Sequence, residues 1–287
     1  MSYSVAAYLA GNEWKGLERE MAKYGEVIVG IRQETFLRPH EIFWQTVQNL
    51  LGQNQEPCQL IGEVFDEDKI FPLMLEGNEI ATTFVLYFNK VFLSYLFLNF
   101  QEAIENINAA EKYFIPQIAA TFYVPPYHMY DSLIRLAVFL ESPEDEQQRI
   151  LEKVSANQEK METWAKHGPM NCLHKFHLVE AERARVLGNY GDAREYYDKA
   201  IAGAHENEYL NEEALAYELA GRFYLARGQN HFADYYLKNA HYAYQRWGAV
   251  AKVMDLEARY PHLLSQPIST SSPDRLSSTT MNGNHSW

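Results

Sequence analysis

The most constraining feature of this sequence is a pair of segments, forty residues apart, with small residues at matching positions. The segments are GNYGDAREYYDKA from Gly188 and GQNHFADYYLKNA from Gly228. Their matched small residues are Gly188 with Gly228, Ala193 with Ala233, and Ala200 with Ala240. A glycine that ends one helix, followed by alanines that let the next helix pack closely, is typical of antiparallel helix pairs. The spacing therefore predicts a helical-repeat protein.

The composition agrees with an all-helical fold. The 287 residues include only 15 Gly and 11 Pro, against 20 Tyr and 15 Phe. That balance favours long helices with aromatic packing over many-stranded sheets with frequent turns. Ala103 and Ala110 repeat the seven-residue alanine spacing in the first half of the chain. We therefore predict an all-α fold, an α-solenoid of stacked antiparallel helix pairs.

The predicted boundary of the fold lies near Leu264. From Ser265 the sequence turns to Ser, Thr, Pro, Asn and Gly, which leaves little to bury. We expect a helical-repeat domain over 1–264 and a disordered Ser/Thr-rich tail over 265–287. Residues 3–10 are expected to be the last turns of a helix whose beginning has been removed, with Gly11 as its stop. The exposed first helix leaves open the recruitment of a second copy of the chain.

Charge and cysteine content restrict the partners and the compartment. The net charge is −13, from 38 acidic and 25 basic residues, and would repel a nucleic-acid backbone. Two cysteines, Cys58 and Cys172, with no secretion signal fit a reducing cytoplasm. The apolar run from Ile80 to Leu98 holds Asn89 and Lys90 at its centre, which favours a buried helix over a membrane span. No nucleic-acid or membrane partner is expected.

The sequence contains few candidates for chemistry. Cys172, His174 and His177 are close in sequence, and a metal site there is conceivable, but no fourth ligand has matching spacing. The sequence shows no nucleotide-binding loop, HExxH string or kinase signature. We therefore expect no catalytic residue, no metal and no cofactor, and a protein that is not an enzyme.

Several strings, in order along the chain, carry a resemblance to a known family. They are CQLIGEVFDEDK from Cys58, YDSLIRLAVFL from Tyr130, PMNCLHKFHLVEAERARVLG from Pro169, NEYLNEEALAYELAGRFYLARG from Asn207 and YAYQRWGAVAKVMDLEARYPHLL from Tyr242. The chain resembles, over residues 3 to 264, the tetratricopeptide-like helical region of the multi-sensor signalling kinases found chiefly in cyanobacteria. In that family a Ser/Thr kinase and an AAA-type ATPase domain precede this region, and a GAF sensor and a histidine kinase follow it. None of those domains has a counterpart here, so the resemblance implies a protein-interaction or relay scaffold without their activities.

Such an array would have a groove lined by the first helix of each pair. Five charged residues are predicted to point into it: Lys175, Glu182, Arg185, Glu218 and Arg222. Their mixed signs argue against a site for a terminal carboxylate. The expected occupant is a protein or peptide, such as a neighbouring kinase, ATPase or GAF domain. Two alternatives stay open: a merely solvated charged face, and a ligand- or peptide-sensing helical regulator of transcription.

Overall fold

The computed structural model describes residues 3–12, 14–30, 34–116, 118 and 121–261. Thirteen α-helices are described in these ranges: α1 Tyr3–Leu9, α2 Trp14–Gly30, α3 Glu34–Leu50, α4 Glu67–Glu76, α5 Ile80–Leu96, α6 Phe100–Lys112, α7 Val124–Val138, α8 Glu144–His167, α9 Pro169–Val186, α10 Tyr190–Glu206, α11 Leu210–Ala226, α12 Asn230–Trp247 and α13 Val250–Arg259. A single bridge, Ile61 to Asp66, is the β-type pairing in the described chain. The all-α prediction is confirmed. The predicted tail, 265–287, lies outside the described residues.

The forty-residue repeat consists of two helices, each with its turn. The residues at left-handed φ after α9, α10, α11 and α12 are Gly188, Glu208, Gly228 and Gly248, which follow one another at intervals of twenty. After each, the amide of the next residue donates to the carbonyl five residues before it, as Asn189 does to Ala184 at 2.9 Å and Gln229 does to Tyr224 at 3.0 Å. This pattern satisfies the last free carbonyls of each helix. The next helix then begins two residues after each left-handed residue.

The small residues lie where helices approach each other. The alanines of the repeat, Ala193, Ala200, Ala233 and Ala240, are fully or almost fully buried, as are Ala103 and Ala110 of α6. They belong to helices that pack as consecutive pairs, α5 with α6, α9 with α10 and α11 with α12. Gly221 of α11 also permits close approach, since a Cβ there would lie 2.7 Å from Cγ of Leu237. Larger side chains would separate the paired helices.

The apolar run in the first half is the central helix α5, which packs against α3, α4, α6 and α7. Its two polar residues have partners. The Asn89 amide donates to the Val85 carbonyl at 2.9 Å and its oxygen accepts from the Tyr8 hydroxyl at 3.0 Å. The Lys90 ammonium lies 2.6 Å from Glu67. Across the described chain, none of the helices combines the length and apolar character that crossing a bilayer requires.

The two ends of the described chain meet. The Trp14 and Trp247 ring centroids are 4.7 Å apart, and α13 packs against α3. The last carbonyl of α5, that of Leu96, accepts from the Lys252 ammonium at 2.6 Å, and the next carbonyl, of Phe97, accepts from Arg259 at 2.9 Å. These cations from α13 satisfy the C-terminal end of a helix more than 150 residues earlier in the chain.

This closure corrects the predicted groove. The first helices of the pairs, α9 and α11, do not face an open concave wall. Helix α7 packs along α9, Lys252 of α13 contacts Glu218 of α11, and Tyr8 of α1 lines a small cavity with Glu212 of α11. The protein's own helices occupy most of the space that was expected to hold a peptide.

Candidate functional site

The five predicted groove residues divide between the interior and one pocket. Lys175, Glu182 and Glu218 are buried, with at most 3 % of their surface exposed, so neither an open groove nor a solvated charged face describes them. Arg185 and Arg222 are half-buried. Buried charges need partners, because desolvation of an unpaired charge is costly. The partners define three groups.

The first group joins α9 to the start of α11. The His174 ring Nε2 lies 2.5 Å from Oε2 of Glu212, and the Lys175 ammonium lies 2.9 Å from the same oxygen. Lys175 also donates to the Asn171 carbonyl at 2.8 Å and lies 4.1 Å above the Tyr209 ring. One carboxylate thus receives an ammonium group and an imidazole in a region without solvent.

The protonation state of this group follows from burial and charge. Burial, reinforced by the Lys175 charge, lowers the pKa of His174. Burial alone would raise the pKa of Glu212, but Lys175 and His174 outweigh it and hold that pKa below its ordinary value. We assign a neutral His174 that donates from Nε2 to an ionised Glu212; its buried Nδ1 has no partner among the described residues. The contact is a structural link between helices.

The second group fastens α11 to the C-terminal helix. The Lys252 ammonium is fully buried and lies 2.9 Å from Glu218 and 3.0 Å from Asp255. The other oxygen of Glu218 accepts from the Tyr244 hydroxyl at 2.7 Å. The Leu96 carbonyl completes the ring of acceptors around the ammonium group. Glu218 is therefore committed to holding the fold together.

The third group lies at the edge of the predicted groove. Arg185 donates from Nε and from a terminal nitrogen to Oε2 of Glu182, at 2.9 and 2.7 Å. The Tyr197 hydroxyl donates to the other oxygen of Glu182. Burial would raise the pKa of Glu182, but Arg185 and these hydrogen bonds outweigh it and keep that pKa low. The pair is ionised and has a fixed geometry.

A pocket of about 460 Å³ opens beside this third group. It lies where α5, α7, α9 and α11 reach their C-terminal ends, with the residue after α13 at its edge. Its polar lining consists of Glu182, Arg185, Arg222, Arg227, Tyr95, Tyr190 and Tyr260, and its apolar lining of Ala137, Leu140, Leu219, Phe223, Leu225 and Ala226. Three of the five predicted groove residues thus meet at one pocket, the part of the predicted groove that its own helices leave accessible.

A second concave surface lies on another face, between α10 and α12. The groove has a volume of about 430 Å³ and is lined by Tyr217, Tyr235, Tyr236 and Tyr242, with Asp198, Asn239 and Arg246 among the polar residues. The Tyr236 hydroxyl donates to Asp198 of α10 at 2.7 Å and joins the two walls. Phe232, Tyr235 and Tyr242 of α12 are each about half exposed or more. We refer to this surface as the tyrosine groove.

The candidate metal residues do not come together. His174 is held by Glu212, whereas the His177 ring packs beside Tyr196 of α10. The described residues contain no cluster of three or more metal-ligating side chains. Burial raises the pKa of the Cys58 thiol to about 12 and also raises that of Cys172, so neither is a ready nucleophile.

Sequence reasoning missed three residues that define these sites: Glu212, Arg227 and Lys252. One signal was present in the repeat, because Glu182 and Arg222 differ by forty residues and so occupy equivalent positions on α9 and α11. That equivalence predicts adjacent charges of opposite sign on neighbouring first helices. Lys252 carried no such signal, since its partners Glu218 and Leu96 lie on helices distant in sequence.

Comparison with known proteins gives one partial similarity. A segment of 62 residues, 22% of this chain, is 39% identical to part of the "Hybrid signal transduction histidine kinase G" of Dictyostelium discoideum. The match covers 2% of that relative's length. No protein-family model and no solved structure matches the chain. The chain therefore has weak local similarity to a signal transduction kinase, while the cyanobacterial resemblance stays a prediction.

Proposed function

We propose that this chain is a non-catalytic, tetratricopeptide-like helical region that holds other proteins in signal transduction, as a relay segment of a multidomain sensor kinase. The observation that carries this proposal is the tyrosine groove. Along α12 its stripe runs through Tyr235, Asn239, Tyr242 and Arg246. Intervals of three and four residues place these side chains on one face.

The chemistry of this stripe suits a protein partner. Tyrosine offers a large apolar ring with a hydroxyl that can keep a hydrogen bond, and aromatic residues and arginine are enriched in protein interfaces. A stripe with intervals of three and four residues on an exposed helix also matches the way in which a partner helix packs. The tyrosine groove is therefore proposed to receive a helix from a neighbouring domain such as a kinase, ATPase or GAF domain.

The alternative from the sequence, a ligand- or peptide-sensing regulator of transcription, is a second candidate. The partial similarity to a signal transduction histidine kinase favours the kinase-associated role over it. That similarity spans a small part of the relative, so the relay role rests on the groove and on the repeated helix pairs.

The test is a pull-down with the full chain as bait from cells that express it, with captured proteins identified by mass spectrometry. We expect a signalling kinase or one of its domains to be captured. The double variant Tyr235→Ser, Tyr242→Ser should lose that protein, because the partner's apolar contact is removed from the stripe. The control is Phe122→Ser, which changes a side chain of comparable exposure, 65 %, on another part of the surface.

Three results would contradict parts of the proposal. If wild-type bait captures no signalling protein above the level of bead controls, the relay role is wrong. If the double variant captures the kinase as well as the wild type does, the tyrosine groove is not the interface. If the purified chain releases phosphate from ATP, and a contaminating enzyme is excluded as the source, the proposal that the chain is non-catalytic is wrong.

A further inference from the structure

The pocket beside Glu182 has a charge opposite to that of the whole molecule. Three arginines and one glutamate line it, in a chain with a net charge of −13. Arg185 is neutralised by Glu182, whose Oε2 accepts two of its hydrogen bonds. The nearby carboxylate of Glu218, one helical turn before Arg222, is already engaged by Lys252 and Tyr244. Two guanidinium groups, those of Arg222 and Arg227, remain for other acceptors.

The guanidinium groups of both arginines lie against aromatic rings. Among the described residues neither guanidinium group takes part in an ion pair or donates a hydrogen bond. The Arg227 guanidinium lies 3.8 Å from the centroid of the Tyr190 ring, and that of Arg222 lies 5.7 Å from that of Phe100. A guanidinium that stacks on an aromatic ring keeps its donors in the plane of the group, where they can receive a ligand.

A structural explanation accounts for part of this arrangement. Cations at the C-terminal end of a helix offset the macrodipole and stabilise the helix modestly. Arg185 does this directly, with a 3.5 Å contact to the Leu136 carbonyl at the end of α7. The dipole does not explain why two further arginines from one helix end converge on the same cavity. A bound anion does.

The aromatic and apolar walls of the pocket indicate what the rest of the ligand is like. Tyr95, Tyr190, Phe223 and Tyr260 surround the cavity together with Leu140 and Leu219. Its volume of about 460 Å³ lies within the range of small-molecule sites, roughly 300 to 1,000 Å³. We propose that this pocket binds a small organic anion, a carboxylate or phosphate monoester with an aromatic or aliphatic body. Arg222 and Arg227 receive the anionic group, and the aromatic walls receive the body.

This inference goes beyond the proposed scaffold role, which depends on the tyrosine groove on a different face. The pocket is lined by residues of α5, α7, α9, α11 and the start of α10, and the tyrosine groove by residues of α10, α11 and α12, but the two share no lining residue. Loss of partner capture and loss of anion binding are therefore separate results, and either proposal can fail while the other stands.

The experiment is calorimetric titration of the full chain with phenylacetate, phenyl phosphate, inorganic phosphate and the neutral analogue phenylacetamide. We expect one of the two aromatic anions to bind at least about tenfold more tightly than phenylacetamide, because each charge-assisted hydrogen bond contributes that much. The tighter of the two identifies the ligand as a carboxylate or a phosphate. Inorganic phosphate should bind more weakly than phenyl phosphate, since it makes no contact with the aromatic walls.

The Arg227→Gln and Arg222→Gln variants should each bind the tighter-binding anion with an affinity lower by roughly tenfold or more. Arg227 is exposed, so its variant should fold normally even if Arg222→Gln does not, and circular dichroism checks both. Arg149→Gln, which changes an exposed arginine of α8, is the matched control and should bind like wild type.

The proposal is overturned if neither anion binds at about 10 mM, or if Arg227→Gln binds as tightly as wild type. Equal binding of phenyl phosphate and inorganic phosphate would overturn the role of the aromatic walls.

Discussion

At the residue scale, the His174 ring and the Lys175 ammonium group share the carboxylate of Glu212. Burial and the Lys175 charge lower the pKa of His174, while Lys175 and His174 lower that of Glu212, so the ring is neutral and the carboxylate is ionised. Three more histidines, His40, His128 and His177, have a pKa lowered chiefly by burial. The folded protein therefore resists protonation at four rings that the unfolded chain protonates freely.

The sign of the pH dependence follows from this difference. Above pH 6.5, the ordinary pKa of histidine, the rings are neutral in both states and contribute nothing. As the pH falls below that value, the unfolded chain binds more protons, so the free energy of unfolding decreases. Below the ordinary carboxyl pKa of 4.5, the lowered pKa values of Glu182 and Glu212 add a further loss.

We predict that the free energy of unfolding by urea decreases from pH 7.5 to pH 5.5, and that His174→Gln makes this decrease smaller. Glutamine can still donate to Glu212 but takes up no proton in the unfolded chain. His231→Gln is the control, because His231 is exposed in the folded state and should leave the slope unchanged. An equal slope in wild type and His174→Gln would show that this ring is not responsible.

At the scale of helices and turns, the twenty-residue interval depends on residues that adopt left-handed φ. Glycine does so without steric cost, but Glu208 takes the same role with φ of 63°. A residue with a Cβ is strained there by about 1 to 2 kcal/mol. Lack of space does not exclude a side chain at Gly228, since a Cβ there would meet nothing within 4 Å.

We predict that Gly228→Ala lowers the free energy of unfolding by about 1 kcal/mol and that Glu208→Gly raises it slightly, because strain is introduced in one turn and relieved in the other. Denaturant unfolding measures both. Gly191→Ala is the control, since Gly191 lies inside α10 with open space around it and alanine favours a helix. Equal effects of Gly228→Ala and Gly191→Ala would mean that left-handed φ is not the limiting feature.

At the scale of the whole molecule, the described chain closes because α13 returns to the end of α5. In an open array each repeat contacts only its neighbours, so a change in the last helix should affect only the helix before it. Here the Lys252 ammonium connects Leu96, Glu218 and Asp255. The first and second halves of the described chain are therefore expected to unfold together.

We predict that Lys252→Met lowers the free energy of unfolding by about 3 to 5 kcal/mol, because it leaves the buried carboxylate of Glu218 without its cation. Hydrogen exchange should then increase in α5 and α3 as well as in α11 and α13. Lys166→Met removes an exposed pair with Glu162 and should cost less than about 1 kcal/mol. If hydrogen exchange in Lys252→Met becomes faster only in α12 and α13, the contacts of Lys252 do not couple the unfolding of the two halves of the described chain.

The sequence alone determined the helical class and the repeat. Gly188 and Gly228 mark helix ends because only certain residues take left-handed φ, and alanines at intervals of seven mark close contacts because small side chains leave room for a backbone. Both are local properties, so they can be read in a window of a few residues. The sequence also predicted that α5 is buried between other helices, because Asn89 and Lys90 at its centre make a membrane span unfavourable.

Tertiary structure decided what the repeat leaves exposed. No local pattern indicates that Lys252 reaches Leu96, that Arg227 joins Arg222 at one pocket, or that α7 and α13 cover the faces expected to bind a peptide. These contacts join residues far apart in sequence, and they depend on the angles at which the helices pack against one another. A sequence pattern that specifies which face of a helix is apolar does not specify those angles.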